Sequence, residues 1–278
     1  MPAAPRSARR RPPLRKRYGQ HHLRDGALCR PLLDYLGLPR ADDAAVPADA
    51  APVIEIGPGG GVLTAELLAR GATVLACEID PAWAFHLRAR LGHHPRLRIA
   101  ILDATRLDAA RLPRPVDVVG NLPFNVGTRL IADLLPHHHA LRRAAFMVQR
   151  EVADRLTAGP GSRDYGALSV WTTVHAEARQ LGTVPPSAFR PPPKVSAAFV
   201  GIEPRKPAVS ANERDAFRIL LQAAFGQRRK TLRNALRSRF PTDRVDAALA
   251  AADLDPGQRA ETVDSAGFVR LHRQLDKS

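Results

Sequence analysis

The sequence predicts an α/β fold: a doubly wound, mostly parallel sheet whose last strand is antiparallel, followed by a small C-terminal α-helical domain. Three observations predict it. Short apolar runs alternate with helical patterns from Val53 to Leu156, the mark of parallel strands joined by helical crossovers, with a ligand crevice at the carboxyl ends of the strands. The later strand candidates, Gln180 to Val184 and Ser196 to Ile202, are separated only by the Pro-rich loop Pro185 to Pro193. That loop is too short for a helical crossover, so the last pair is expected to be antiparallel. Beyond Glu203-Pro204-Arg205-Lys206-Pro207, a linker by composition, the pattern is helical to the end.

The elements follow in order. Residues through Arg17 are rich in Arg and Pro and lack an apolar segment, so they read as a basic disordered arm (1–17) rather than a signal peptide or membrane anchor. Asp25 to Leu38 carries Leu28, Leu32, Leu33 and Leu36 at close to helical spacing and ends near Gly37 and Pro39. Small and acidic residues from Ala41 to Pro52 form a loop before the apolar strand Val53-Ile54-Glu55-Ile56. Then come a helix (Val62 to Arg70), a strand (Thr73 to Ile79), a helix (Pro81 to Leu91) and a strand (Leu97 to Leu102). Val116 to Val119 is a strand, Thr128 to Leu135 a helix, Ala144 to Val148 a strand, and Glu151 to Leu156 opens another helix. The expected domains are 18–204 for the sheet and 208–278 for the helices.

At 278 residues the chain accommodates one large domain and a smaller partner. Forty-two Lys and Arg against 27 Asp and Glu leave a net charge of +15, a field that recruits polyanions, nucleic acid first among them. Cys29 and Cys77 cannot build a disulfide framework and have no metal-site spacing, which fits a reducing cytosol. His137-His138-His139 are consecutive residues that cannot converge on one ion, so they read as surface and no metal is expected.

Glycines 57, 59 and 61, directly between a strand and a helix, allow close approach of backbone to a ligand. A dinucleotide site would want G-x-G-x-x-G instead, and a purely structural turn is also compatible with the glycines alone. Glu78 ends the second strand and Asp103 follows the third. A carboxylate at a strand end can accept both ribose hydroxyls and a second can accept from an adenine amine, so with the glycine turn they describe an adenosine pocket. Asp80 and Asp108 read as helix-start or surface acids.

Asn121-Leu122-Pro123-Phe124 supplies a reacting end. An adenine N6 amine is a poor nucleophile because its lone pair is delocalised into the ring. The Asn121 side-chain oxygen and the Leu122 carbonyl can hold its two hydrogens and favour the pyramidal nitrogen that attacks a methyl sulfonium in line, while Phe124 stacks on the base. In the helical domain, Arg229, Arg233 and Arg237 fall at i, i+4, i+8, and no acid interrupts positions 216 to 242. They are expected to form one cationic stripe of a helix that meets phosphates.

With these residues in view, the sequence resembles the ribosomal RNA adenine dimethyltransferase family, in its bacterial KsgA (RsmA) type. The matching segments run from Arg15-Lys16-Arg17-Tyr18-Gly19-Gln20 through the glycine turn and Asn121-Leu122-Pro123-Phe124 to Pro185-Pro186-Ser187-Ala188-Phe189-Arg190-Pro191-Pro192-Pro193-Lys194-Val195 and Phe225-Gly226-Gln227-Arg228-Arg229-Lys230-Thr231. The resemblance implies a Rossmann-like class I methyltransferase sheet, S-adenosyl-L-methionine as methyl donor, and N6,N6-dimethylation of two adjacent adenosines in the 3′-terminal hairpin loop of 16S rRNA. The substrate would be the immature small ribosomal subunit, met by a cytoplasmic monomer. Carried over by position, His21, Leu23, Gly57, Gly59, Glu78, Asp103, Ala104 and Asn121 contact the cofactor. Phe124 and Phe189 flank the target base, and Arg228, Arg229, Lys230, Arg233 and Arg237 meet RNA. The family usually has Asn-Phe where this chain has His21-His22, and Tyr where it has Phe124. An imidazole can still donate a hydrogen bond, with pH-dependent charge. Two alternatives stand beside this expectation: the related dimethylation of 23S rRNA, and a ribosome-assembly factor whose catalysis is dispensable.

Overall fold

The computed structural model describes residues 12–13, 21–39, 51–107, 115–123 and 126–276. They divide into two compact units, one formed by the described residues up to Ala153 with Arg179–Pro204, the other by Asp154–Ala178 with those from Arg205 onward.

The first unit opens with a two-residue strand, β1 (His22–Leu23), and a short helix, α1 (Arg30–Tyr35). The doubly wound part follows as β2 (Val53–Ile56), α2 (Val62–Ala69), β3 (Val74–Glu78), α3 (Pro81–Leu91), β4 (Leu97–Ile101), β5 (Val116–Asn121), α4 (Gly127–Leu134) and β6 (Leu141–Gln149). After α5 (Arg150–Thr157) and α6 (Ala167–His175) the chain returns as β7 (Ala176–Val184), the two-residue β8 (Phe189–Arg190) and β9 (Ala197–Pro204). Among the described residues, seven strands share one sheet in the order β4-β3-β2-β5-β6-β9-β7. The β2, β3, β4, β5 and β6 neighbours pair in parallel, and β9 runs antiparallel to β6. β2 is buried along its whole length between β3 and β5, which is why Val53-Ile54-Glu55-Ile56 shows no polar alternation. The Pro-rich loop leads β9 back between β6 and β7, giving the expected antiparallel strand.

The N-terminal segment is tied down at several points. Asp25 Oδ1 accepts from the Ala27 N–H at 2.9 Å and starts a 3-10 turn over Gly26–Cys29 that runs into α1, so the single helix expected from Asp25 to Leu38 is divided in two. Tyr35 at the end of α1 lies so close to Gly201 of β9 that a Cβ there would stand 2.6 Å from its ring. Arg142 of β6 pairs with the buried Asp117 of β5 and donates to the Leu36 carbonyl at 2.8 Å, joining the end of α1 to the sheet. β1 pairs antiparallel with β8, Leu23 opposite Phe189 and His22 opposite Arg190.

The second unit differs from the sequence expectation in extent. The segment 154–178, expected in the sheet domain, groups instead with the C-terminal helices. It contains α6, whose Gly- and Ser-rich approach hides its start; the Gly166 N–H donates to Ser169 Oγ at 3.1 Å in place of a polar N-cap side chain. Trp171 of α6 stacks on Phe217 of α7 (Arg214–Phe225), and Phe225 packs on Phe268 of α10 (Ser265–Asp276). The remaining helices are α8 (Leu232–Leu236) and α9 (Thr242–Ala251).

The expected cationic stripe does not exist as one helix. α7 ends at Gly226, residues 226–230 form a turn, and α8 starts afresh from Thr231, whose hydroxyl accepts from the Asn234 N–H. Arg229 and Lys230 are exposed in that turn. Arg233 is held by a bidentate pair with Asp246 of α9, Arg237 donates to Thr242 Oγ1 at 2.9 Å, and Arg228 donates to the Arg163 and Tyr165 carbonyls at 2.9 and 3.1 Å. A scan for acids along the helix itself overlooks Asp246 because it comes from the next helix.

The Tyr165 hydroxyl, buried, donates to the Val263 carbonyl at 2.8 Å and ties the 154–178 segment to the C-terminal helices. Tyr165→Phe removes this single bond and is expected to lower stability by about 1–2 kcal/mol in urea denaturation, with the hydrophobic packing intact.

Candidate active site

The site begins with the point where the sheet reverses its winding. β2 lies between β3, which follows it in sequence, and β5, which comes two strands later, so the turns leaving β2 and β5 open side by side at the carboxyl edge. Ile56 pairs with Gly120, and a Cβ on Gly120 would stand 2.5 Å from the Ile56 carbonyl oxygen. Only glycine permits that approach. It brings Gly57 next to Asn121.

Gly57, Gly59 and Gly61 all have positive φ, +66°, +49° and +75°. A Cβ at Gly59 would also fall 2.3 Å from the His22 ring, so the turn is closed to side chains both by conformation and by space. Glu78, at the end of β3, holds this turn: its Oε2 accepts from the Gly59 N–H and its Oε1 from the Asp80 N–H, each at 3.0 Å. It is buried, and burial pushes its pKa up against the opposing pull of those N–H groups. Asp80 caps α3 by accepting from the Ala82 N–H at 3.0 Å, the helix-start role expected of it. Asp103 likewise accepts from the Thr105 N–H and hydroxyl, at 3.0 and 2.8 Å, and these bonds hold its pKa below the ordinary value.

Two cavities flank Gly57. The larger, about 350 Å³, is lined by Gly57, Asp103, Ala104 and Pro123 among the expected residues, with Ile79 and Arg129 in addition. Ile79 is 41% exposed and offers an apolar wall directly after Glu78. Sequence reasoning misses it by reading it as the last residue of a strand, although an apolar side chain at the point where the chain leaves the sheet is the available signal. The smaller cavity, about 30 Å³, is lined by Leu23, Glu55, Gly57 and Asn121.

Asn121 ends β5, and its Nδ2 donates to the His21 backbone carbonyl at 2.7 Å. That bond fixes the carboxamide with Oδ1 as the remaining acceptor. The Leu122 N–H donates to the Met147 carbonyl at 3.0 Å, and among the described residues none donates to the Leu122 carbonyl. The Pro123 carbonyl accepts from the Val126 and Gly127 N–H groups and starts α4. His21 Nδ1 lies 2.9 Å from the Pro191 carbonyl, so residue 21 links the Pro-rich loop to Asn121 through ring and backbone together. Phe124 lies outside the described residues.

Phe189 corrects an expectation. It is wholly buried in the apolar core beneath the N-terminal segment, with its backbone paired to Leu23. A side chain so enclosed has no face left for a base, and it packs as a core residue.

Glu55 escapes notice as a site carboxylate because it sits inside an apolar strand. It is 1% exposed, lines the smaller cavity, and burial with the neighbouring Glu78 charge pushes its pKa up to about 8.

A parallel sheet with this reversal, a left-handed glycine turn after its first long strand and an amide at the end of the adjacent one belong to the Rossmann-like methyltransferases of class I. The pattern of the ribosomal RNA adenine dimethylase family matches residues 12–277, and the chain belongs to that family. A ribosomal RNA small subunit methyltransferase A from Anaeromyxobacter sp. (strain K) is 43% identical over 276 residues, 94% of this chain and 93% of the relative. That of Methylococcus capsulatus is 39% identical over 264 residues, 94% of this chain and 98% of the relative. Among solved structures, the 23S rRNA methyltransferase ErmE superposes with a TM-score of 0.63 at 28% identity, over 91% of this chain and 99% of that one. A dimethyladenosine transferase from Plasmodium falciparum gives 0.73 at 23% identity, over 92% and 98%, and shares the fold.

The raised pKa of Glu55 has a sign that can be measured. The folded chain binds this proton more tightly than the unfolded chain, whose Glu titrates at roughly 4.3. The stabilisation is therefore complete below that pH and is lost as pH rises through about 8. Glu55→Gln keeps the shape and is expected to flatten the fall in thermal midpoint between pH 5 and 8.5. An unchanged slope would rule Glu55 out as its source.

Proposed function

We propose that the chain is an S-adenosylmethionine-dependent rRNA methyltransferase that places two methyl groups on N6 of each of two adjacent adenosines in the 3′-terminal hairpin loop of 16S rRNA. The substrate is the immature small subunit, and the enzyme works as a cytoplasmic monomer. Family membership over residues 12–277 and relatives at 39–43% identity named for the small subunit support the reaction class and its RNA. No helix among the described residues is long and apolar enough to cross a membrane.

The fixed carboxamide of Asn121 carries this conclusion. With Nδ2 engaged by the His21 carbonyl, Oδ1 is available to one hydrogen of an exocyclic amine; the Leu122 carbonyl would accept the other, although Leu122 itself is buried, so the amine must displace what covers it. An amine so held loses conjugation with its ring and directs its lone pair outward. The cofactor supplies, when bound, an electrophilic methyl on a sulfonium. A methyl taken from it would go to the amine lone pair held in line by these two acceptors, and the amine proton would leave to water, so the site needs no general base. In the second round the same two acceptors meet an amine with one hydrogen left.

The donor set fits such a cofactor. Ile79 supplies an apolar wall, the Gly57 turn admits close backbone approach, and Asp103, held ionised, can accept from an exocyclic amine. Glu78 would accept ribose hydroxyls with the lone pairs that Gly59 and Asp80 leave over. His21, Leu23, Gly59 and Ala104 would complete the contacts, and Phe124 would stack on the base.

Incubation with labelled methyl donor and small subunits lacking the modification, followed by mass analysis of the terminal hairpin, is expected to give two adjacent dimethyladenosines. Label on 23S rRNA would favour the activity named for ErmE. Asn121→Ala is expected to lower turnover by at least about 10²-fold, the scale of a missing transition-state hydrogen-bonding group, with cofactor affinity by calorimetry within about threefold. Undiminished turnover would refute the role of the carboxamide.

A further inference from the structure

The cations expected to meet RNA are partly committed to the fold. Arg233 belongs to Asp246 and Arg228 to two backbone carbonyls. The second unit holds another group of cations that the sequence does not single out. A cavity of about 350 Å³ is lined by Arg205 and Lys206, which open the unit after β9, and by Arg270 and Arg273 of α10, with Thr173 and Ser265 as hydroxyl neighbours. Among the described residues no carboxylate lines it.

These cations are presented more than neutralised, although Glu213 lies close enough to Arg273 for the two charges to interact. Arg270 Nε donates to the Ala252 carbonyl at 3.1 Å and Arg273 donates from one terminal nitrogen to the Ala208 carbonyl at 3.2 Å, which orients each guanidinium while most of its five N–H donors meet no acceptor among the described residues. Arg205 has a carboxylate partner, Glu177, at 3.5 Å, but that side chain is 76% exposed and the pair is readily exchanged for another anion. Lys206 makes no ion pair with any described residue. The start of α10 adds little, because Asp264 already accepts from the Gly267 N–H at 2.7 Å there.

We propose that this cavity binds the sugar-phosphate backbone of the rRNA substrate, as a contact separate from the 228–237 segment. The proposal rests on the rRNA reading above. Four cations lining one cavity, in a chain of net charge +15, make it a site for an anion. Among the described residues no aromatic side chain lines it, which leaves no platform on which a base could stack, so the contact is made to backbone and is independent of sequence. Arg270 and Arg273 suit the bidentate geometry of a phosphodiester, and the volume admits a phosphate with its ribose.

The test uses the full chain and a fluorescence-labelled 16S rRNA fragment carrying the terminal hairpin, with affinity measured over a range of salt. Lys206→Glu is expected to weaken binding at least about fivefold, and Lys206→Gln by less. Both should lower the slope of log affinity against log salt by about 0.7–0.9 for each phosphate no longer engaged. Arg98→Glu, an exposed position on β4, makes the same change in net charge and controls for the general field. Thermal midpoint and cofactor affinity should not move in any of the three. Equal weakening in Lys206→Glu and Arg98→Glu, or none in either, overturns the proposal. Weakened binding of inorganic pyrophosphate with unchanged RNA affinity also overturns it, since the site would then serve a free anion. Failure of the unsubstituted chain to bind or methylate the RNA would instead defeat the functional reading itself.

Discussion

The close pairing of β2 with β5 is the constraint on which the site depends. Because Gly120 has no side chain, the Ile56 carbonyl can approach it, and the two turns that follow these strands become neighbours. One turn is a run of left-handed glycines and the other begins with a carboxamide. Neither would serve alone: a glycine turn admits a ligand without selecting it, and an asparagine at a strand end is an ordinary way to leave a sheet. Backbone register converts two common features into one specific arrangement.

The N-terminal segment adds the orientation that register cannot supply. A terminal amide rotates, and which of its atoms faces a substrate is decided by the partner of the other. Here that partner is the His21 carbonyl, and residue 21 is kept in place by the antiparallel pair of β1 with β8 and by the ring contact with Pro191. The apolar core beneath, with Leu23 and Phe189 packed into it, anchors this strap. The carboxyl groups act in the same supporting sense: Glu78 and Asp103 spend part of their accepting capacity on the turns that carry them.

Much of the fold is legible in the sequence because its signals are local. Strand-length apolar runs, the glycine turn, Asp80 before Pro81 and the short Pro-rich return each act within a few residues, and β2 to β6, α2 to α4 and the antiparallel β9 follow from them. What escapes depends on partners distant in sequence. Phe189 looks like an exposed aromatic in a proline-rich loop until Leu23 is placed against it. Arg233 looks unpaired until α9 brings Asp246 beside it, and the segment 154–178 looks like part of the sheet domain until Tyr165 finds Val263. Glu55 shows the opposite limit, since its sequence position is plain but its protonation follows from enclosure that only the folded chain reveals.

The assignment of 154–178 to the second unit means that the polypeptide passes between the units three times, after Ala153, Ala178 and Pro204. A cut near residue 204 would therefore not release a self-sufficient catalytic half; it would leave α6, with Trp171 and Val174, stripped of the helices that cover it. The two bodies cannot be exchanged as contiguous cassettes by recombination. Any lineage that remodels how this enzyme holds its substrate must do so by altering surfaces or loops, because the architecture gives it no detachable module to replace.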